Sequence, residues 1–148
     1  MPSTVFDSAI FRDMFGTPAM RGVFSDEALL GRYVEVEVAL AKAEAATGVI
    51  PKEAAAAIAA KATTKGLDIE RLKRESDIVG YPILPIVRQI AAQCGEAGKY
   101  VHWGATTQDI MDTATVLQVR AALDLVAADL DSVRQALVSL SRKHRDTP

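Results

Sequence analysis

The sequence has few of the features that mark an exported, membrane-bound or nucleic-acid-binding protein. Its 148 residues include one cysteine, 5% aromatic residues and a formal net charge of −2. One thiol cannot form an internal disulfide, and the charge lacks the basic excess typical of nucleic-acid binders. The longest apolar run, Ala54–Ala60, is far shorter than the roughly 20 residues of a membrane span, and no basic segment leading into an apolar stretch follows Met1. We therefore expect a cytoplasmic protein that binds neither nucleic acid nor a membrane.

Helix-forming residues are abundant, with Ala alone supplying 25 positions. Strand-like alternation is scarce, so the predicted fold class is all-α. A helix is predicted to begin at Ser25, where a hydroxyl and two acidic residues suit a first turn, and to end at Gly48. Further helices are predicted over residues 52–65, 68–76 and 83–95. The apolar face of the first helix is predicted from spacings of three and four to contain Leu29, Tyr33, Val36, Leu40 and Ala43.

The last third of the chain predicts one long helix over about residues 109–143, because neither Gly nor Pro interrupts it. Such a helix would be roughly 50 Å long, longer than the body of a compact globule of this size. Its apolar residues alternate at spacings of three and four. We call this set the seam: Val116, Val119, Leu123, Val126, Leu130, Val133, Leu137 and Leu140. We expect the seam to be covered by other chains or by further residues of a longer protein, which makes a free monomer unfavourable.

The densest group of polar residues lies just before this helix, in the segment His102–Asp109. Thr106 and Asp109 fit the spacing of a helix-capping box, and Thr107 could also cap. The same segment suits an anion, since free amides and the positive end of the helix dipole meet two hydroxyls and the flexible Gly104. His102 could supply a proton or a positive charge. Spacing alone does not choose between a capped helix and a binding site.

The segment His102–Thr113 (HWGATTQDIMDT) resembles the first signature block of the fumarase/aspartase superfamily. In the branch of adenylosuccinate lyase and 3-carboxy-cis,cis-muconate cycloisomerase, the block reads His-x-Gly-x-Thr-Ser-x-Asp-x-x-Asp-Thr. This sequence departs from it by carrying Thr107 in place of Ser, which keeps the hydroxyl. Ala105 and Gln108 are closer to the cycloisomerase, and the resemblance runs over nearly the whole chain.

The resemblance implies the fold, the chemistry and the extent of the protein. It implies an amino-terminal helical domain over residues 1–108, followed over residues 109–148 by the first long helix of a central bundle, with four subunits packing their bundles together. It implies reversible addition or elimination through a carbanion stabilised as an aci-carboxylate, with no metal or organic cofactor and a small polycarboxylate as substrate. The general base and acid of the family are expected beyond Pro148, so the chain is expected to be the amino-terminal third of a longer enzyme.

The resemblance also implies roles for particular residues. Thr106 and Thr107 match the Thr-Ser pair that binds a substrate carboxylate, and His102 matches a position near the substrate, where it either takes part in catalysis or orients the loop. Ser76 stands where adenylosuccinate lyase has a His, and is either a substrate contact or the exposed end of a helix. The Arg-Tyr pair that holds a nucleotide phosphate in that enzyme aligns with Met14 and Phe15, which argues against a nucleotide substrate.

The function implied best is therefore that of a 3-carboxy-cis,cis-muconate cycloisomerase. The alternative enzyme is an eliminase resembling adenylosuccinate or argininosuccinate lyase that releases fumarate. A hypothesis of another class is a non-catalytic helical module that self-associates through the seam.

Overall fold

The computed structural model describes residues 4–147 and confirms the all-α fold class, with no strand in that range. Residues 1–3 and 148, on which the expectations about the chain's start and end partly depend, lie outside the described residues. None of the described helices is long and apolar enough to span a membrane. The helices are α1 (Pro18–Val23), α2 (Asp26–Ala46), α3 (Lys52–Lys61), α4 (Ile69–Val79), α5 (Ile83–Cys94) and α6 (Thr107–Lys143), with 3-10 turns at Arg12–Met14 and Gly95–Tyr100.

Side-chain caps start three of these helices. The Ser25 hydroxyl accepts a hydrogen bond from the Ala28 amide at 3.2 Å, as the sequence predicts. The Asp68 carboxylate accepts one from the Arg71 amide at 2.9 Å and starts α4. Thr17 does the same for α1, a short helix that the sequence analysis does not predict. Each cap satisfies an amide that has no partner inside the helix.

The chain divides into two compact units. The larger is Ser25–Leu117, which contains α2 to α5 and the start of α6. The smaller consists of residues 4–24 together with the chain from Gln118 onward. The division at residues 108 and 109 that the resemblance implies stays a prediction.

In the larger unit the core is aliphatic, and Ile58, Ile90 and Ala114 have no exposed surface. Two glutamines of α5 fix the loop between α3 and α4. Gln93 accepts from the Thr63 amide at 3.0 Å and donates to the Thr63 carbonyl at 3.1 Å. Gln89 makes the same pair of bonds with the backbone of Asp68. These bonds engage backbone groups of an extended loop, and α3 therefore ends at Lys61 rather than at the predicted residue 65.

The buried face of α2 is rotated from the predicted one. Tyr33 and Val36 are buried as expected, but Leu29 and Leu40 are only half-buried and Ala43 is exposed. The buried residues of the helix are Leu30, Tyr33, Val34, Val36, Glu37, Ala41 and Ala45. A carboxylate thus lies on the core-facing side, and its partner is described below.

In the smaller unit Gln118 of α6 is buried and donates a hydrogen bond to the Val23 carbonyl at 2.8 Å. Arg21 joins α1 to the preceding segment through an ion pair with Asp13 at 2.7 Å. The seam residues of α6 are all exposed, from 41% at Val126 to 65% at Val116. Within the described residues the predicted seam therefore lies along one helix, and its eight side chains are exposed.

Candidate active site

The candidate site is the turn that leads into α6, and its start is fixed by hydrogen bonds between main chain and side chain. The Thr106 amide donates to Asp109 Oδ2 at 3.0 Å, and the Asp109 amide donates to the Thr106 carbonyl at 3.1 Å. Thr107 is the first residue of the helix. Asp109 thereby fills the acidic half of the predicted capping box.

The two hydroxyls lie at the positive end of a 37-residue helix. Thr106 is exposed and Thr107 is half-buried. The first amides of a helix have no acceptor within it, and the helix dipole favours negative charge there. The turn can therefore hold a carboxylate with side-chain hydroxyls and backbone amides together.

His102 begins this turn and is held by a carboxylate from α2. Its Nδ1 lies 2.7 Å from Glu37 Oε1, and the side chain of Glu37 is 1% exposed. The backbone of His102 has φ of +61°, in the left-handed region that non-glycine residues rarely adopt. Such a conformation costs about 1–3 kcal/mol and persists where the surroundings fix it. Gly104, with φ of +67°, makes the second left-handed step of the turn without that cost.

Burial dominates the electrostatics of the two glutamates behind the turn. Desolvation raises the pKa of Glu37, the hydrogen bond and charge of His102 oppose that rise, and the charge of Glu44 adds to it. Desolvation also raises the pKa of Glu44, again against the effect of His102. One carboxylate oxygen of each residue is buried without a hydrogen-bond partner. The contact with His102 thus offsets part of the cost of burying the Glu37 carboxylate.

A cavity of about 580 Å³ lies beside the turn, between it, α2 and the first turns of α6. Trp103, Gly104 and Ala105 form part of its wall, but the two threonines do not. Its wall includes two carboxylates, that of Glu44 and that of Asp109, the residue that also caps α6. The cavity therefore contains none of the threonine hydroxyls that suit a carboxylate at the start of α6. No cluster of His, Cys, Asp and Glu that could hold a metal ion occurs within residues 4–147.

Ser76 is placed away from the threonine pair. It lies on α4 and lines another cavity, of about 280 Å³, together with Tyr33 of α2 and Lys73. Its hydroxyl is buried without a hydrogen-bond partner, and its carbonyl accepts from the Gly80 amide that ends the helix. No hydrogen bond within residues 4–147 joins Ser76 to Thr106 or Thr107, and its role in binding stays a prediction.

Glu37 is the site residue that sequence reasoning misses. The predicted apolar face of α2 contains Val36 and Leu40, which satisfy the helical spacing, and leaves out Glu37, which lies between them in the sequence. The available signal was the pair Glu37 and Glu44, two turns apart on one side of a helix whose neighbouring positions are apolar. Charged side chains on a buried face need a partner, and the partner here is far along the chain.

Comparisons with known proteins show which family the chain resembles over most of its length. Residues 14–148 match the family model described as lyase. The N-acetyl-S-(2-succino)cysteine lyase of Dickeya dadantii is 45% identical over 99% of this chain and 32% of its own. The crystal structure of a fumarate lyase from Mesorhizobium sp. BNC1 superposes with a TM-score of 0.83 at 58% identity, over 86% of this chain and 30% of that one.

A second solved structure is similar over more of the sequence. The 3-carboxy-cis,cis-muconate lactonizing enzyme from Pseudomonas putida gives a TM-score of 0.87 at 40% identity, over 95% of this chain and 33% of that one. The chain therefore spans about a third of the length of the relatives that it matches.

Proposed function

The chain belongs to the lyase family of the fumarase/aspartase superfamily, and from this we propose that the protein carrying it adds or eliminates a group at the carbon β to a carboxylate of a small polycarboxylate. The observation that carries the proposal is the pair of hydroxyls at Thr106 and Thr107, at the positive end of α6 and in a turn held by Glu37 and His102.

The chemistry follows from what such donors stabilise. In the elimination direction a base removes the proton from the carbon next to one carboxylate, whose oxygens take up the charge as an aci-carboxylate, and the group on the neighbouring carbon leaves with its electron pair. The charge on the carboxylate grows in the transition state, so hydroxyl and amide donors aimed at it lower the barrier. The threonine pair acts on this carboxylate, while the base and the acid are expected from the rest of the longer protein.

The specific reaction we propose is the 3-carboxy-cis,cis-muconate cycloisomerase reaction. In it, one carboxylate of the substrate adds to a carbon–carbon double bond of the same molecule, and solvent supplies the proton. The similarity to the Pseudomonas putida enzyme supports it. Met14 and Phe15 are 75% and 58% exposed and offer no group for a phosphate dianion, which supports a substrate without a nucleotide.

A second candidate is the elimination of fumarate from a succinylated amine or thiol, as in an eliminase resembling adenylosuccinate or argininosuccinate lyase. It is supported by the similarity to a lyase whose name specifies a succinylated cysteine. Both candidates need the same carboxylate site and differ in the group that leaves or adds.

We propose further that the protein assembles with copies of itself, as a tetramer of packed helical bundles. The support is the seam on α6, whose eight apolar side chains are all exposed in the chain. Apolar repeats at spacings of three and four residues over several heptads are typical of helices packed side by side.

The test is a comparison of substrates with the full-length protein. Muconate consumption is followed with 3-carboxy-cis,cis-muconate, and fumarate formation is followed with S-(2-succino)cysteine and its N-acetyl form. Turnover of the muconate supports the cycloisomerase and turnover of a succinylated thiol supports the eliminase. Absence of turnover with every β-substituted polycarboxylate tested would contradict the reaction class.

A further inference from the structure

We infer that Glu37 is a positioning residue that holds His102 in a single proton tautomer for the reaction at the turn. The inference rests on the proposed function and on the position near the substrate that the family resemblance implies for His102. It starts from the 2.7 Å contact between Glu37 Oε1 and His102 Nδ1, which joins the middle of α2 to the turn before α6.

The contact fixes which ring nitrogen carries the proton. When Glu37 is ionised, its carboxylate accepts hydrogen bonds and has none to donate, so Nδ1 is the donor and the neutral ring is protonated at Nδ1. The free electron pair is then on Nε2, on the opposite side of the ring. No hydrogen bond to Nε2 forms within residues 4–147, and the His102 side chain keeps 16% of its surface exposed. Nε2 is left available to a substrate or to a proton in transit.

The surroundings give the pair its rigidity. The Glu37 side chain is 1% exposed, so its carboxylate has one place to lie. The left-handed backbone of His102 has to be held by the surrounding structure, and this contact is part of that restraint. Glu44, two turns further along α2, interacts electrostatically with the same histidine but makes no hydrogen bond to it. Within residues 4–147, Glu37 therefore makes the hydrogen bond that orients the ring.

The substitution Glu37→Gln separates a positioning role from a mere tether. Glutamine has the same shape and reaches Nδ1, but its amide can accept from Nδ1–H or, flipped, donate to an unprotonated Nδ1. The E37Q variant therefore keeps a hydrogen bond to the His102 ring but no longer determines which tautomer of the ring forms. In the full-length protein we expect kcat to fall about 10- to 100-fold, by analogy with groups that orient a metal-bound histidine, with KM within about twofold. Equal kcat in E37Q and the wild type would overturn the inference.

A matched control is Glu35→Gln, on the same helix and exposed, where the carboxylate pairs with Arg32 at 2.7 Å. We expect E35Q to keep wild-type kcat. In addition, E37Q combined with H102Q should lose no more activity than H102Q alone, because Glu37 acts through the histidine. Additive losses would contradict the inference.

A measurement without turnover separates this inference from the proposed function. The ¹⁵N shifts of labelled histidine in the full-length protein, with the His102 signals identified by their loss in H102Q, report the tautomer directly. We expect Nδ1–H in the wild type and a mixture in E37Q. An Nε2–H tautomer in the wild type would overturn the inference even if E37Q failed to fold, and whether or not an active substrate had been found.

Discussion

Removal of the Thr107 hydroxyl is the perturbation that bears most directly on carboxylate binding. Thr107→Val keeps the β-branched shape and a similar helix propensity at the first position of α6. The residue is half-buried, and the cap of the helix is made by the adjacent residue and Asp109. The free energy of unfolding should therefore stay within about 0.5 kcal/mol of the wild type.

The loss in activity follows from the charge of the group that is bound. A hydrogen bond to a charged group contributes about 1.5–3 kcal/mol, which corresponds to a fall of roughly 10- to 150-fold in kcat/KM. The fall should appear in steady-state kinetics of the full-length protein on whichever polycarboxylate it turns over.

The same substitution at Thr115 is the control. Thr115 lies further along α6, is exposed, and donates its hydroxyl to the Met111 carbonyl at 2.8 Å within its own helix. T115V should therefore leave kcat/KM within about twofold. If T107V and T115V had equal kinetics, the Thr107 hydroxyl would have no part in binding and the role assigned to the turn would be refuted.

Three further predictions concern the fold, its pH dependence and its assembly. Gly98→Ala should lower the free energy of unfolding by about 1–3 kcal/mol, because the added Cβ would lie 2.8 Å from the carbonyl carbon of Ala91. Gly31→Ala, inside α2 with nothing within 4 Å of the added Cβ, should instead raise it by about 0.5–1 kcal/mol. Thermal melts that ranked the two variants the other way would contradict the packing. Burial raises the pKa of Glu37 above its ordinary 4.5. Between these two pKa values the folded state holds a proton that the unfolded state has released, so the contribution of Glu37 to stability falls as pH rises from about 4.5 toward the raised pKa. Denaturation across that range should show E37Q gaining stability relative to the wild type as pH rises, and the opposite trend would mean a lowered pKa. Leu130→Glu, at a seam position that is 63% exposed, should leave the helix content of the full-length protein unchanged and weaken its assembly, and an unchanged sedimentation coefficient would remove the seam from the interface.

Local interactions explain why much of the helix pattern could be predicted from the sequence. Ser25 and Asp68 cap helices through amides three residues away, so the sequence around each residue determines where its helix starts. The seam and the absence of Gly and Pro similarly determine the extent of α6. These features depend on spacing along one element, which the sequence displays directly.

The errors arise where distant parts of the chain meet. The end of α3 lies at Lys61 beside a loop whose backbone, at Thr63, is bonded by Gln93, thirty residues further on. The buried face of α2 differs from the predicted one because Glu37 is paired with His102, sixty-five positions away. A polar residue on a buried face can be predicted only when its partner is known. For the same reason Glu37 is missing from the site predicted from the sequence, whereas Thr106, Thr107 and His102 belong to the motif itself.

Formation of a carbanion next to a carboxylate is tested most directly by isotope incorporation from the solvent. The full-length protein is incubated in D₂O with 3-carboxy-cis,cis-muconate or, in the addition direction, with fumarate and cysteine, and the product is examined by proton and deuterium NMR. We predict one deuterium per molecule of product, on the carbon adjacent to a carboxylate and at a single stereochemical position. Product that carries no deuterium at that carbon, or carries it equally at both stereochemical positions, would contradict the account.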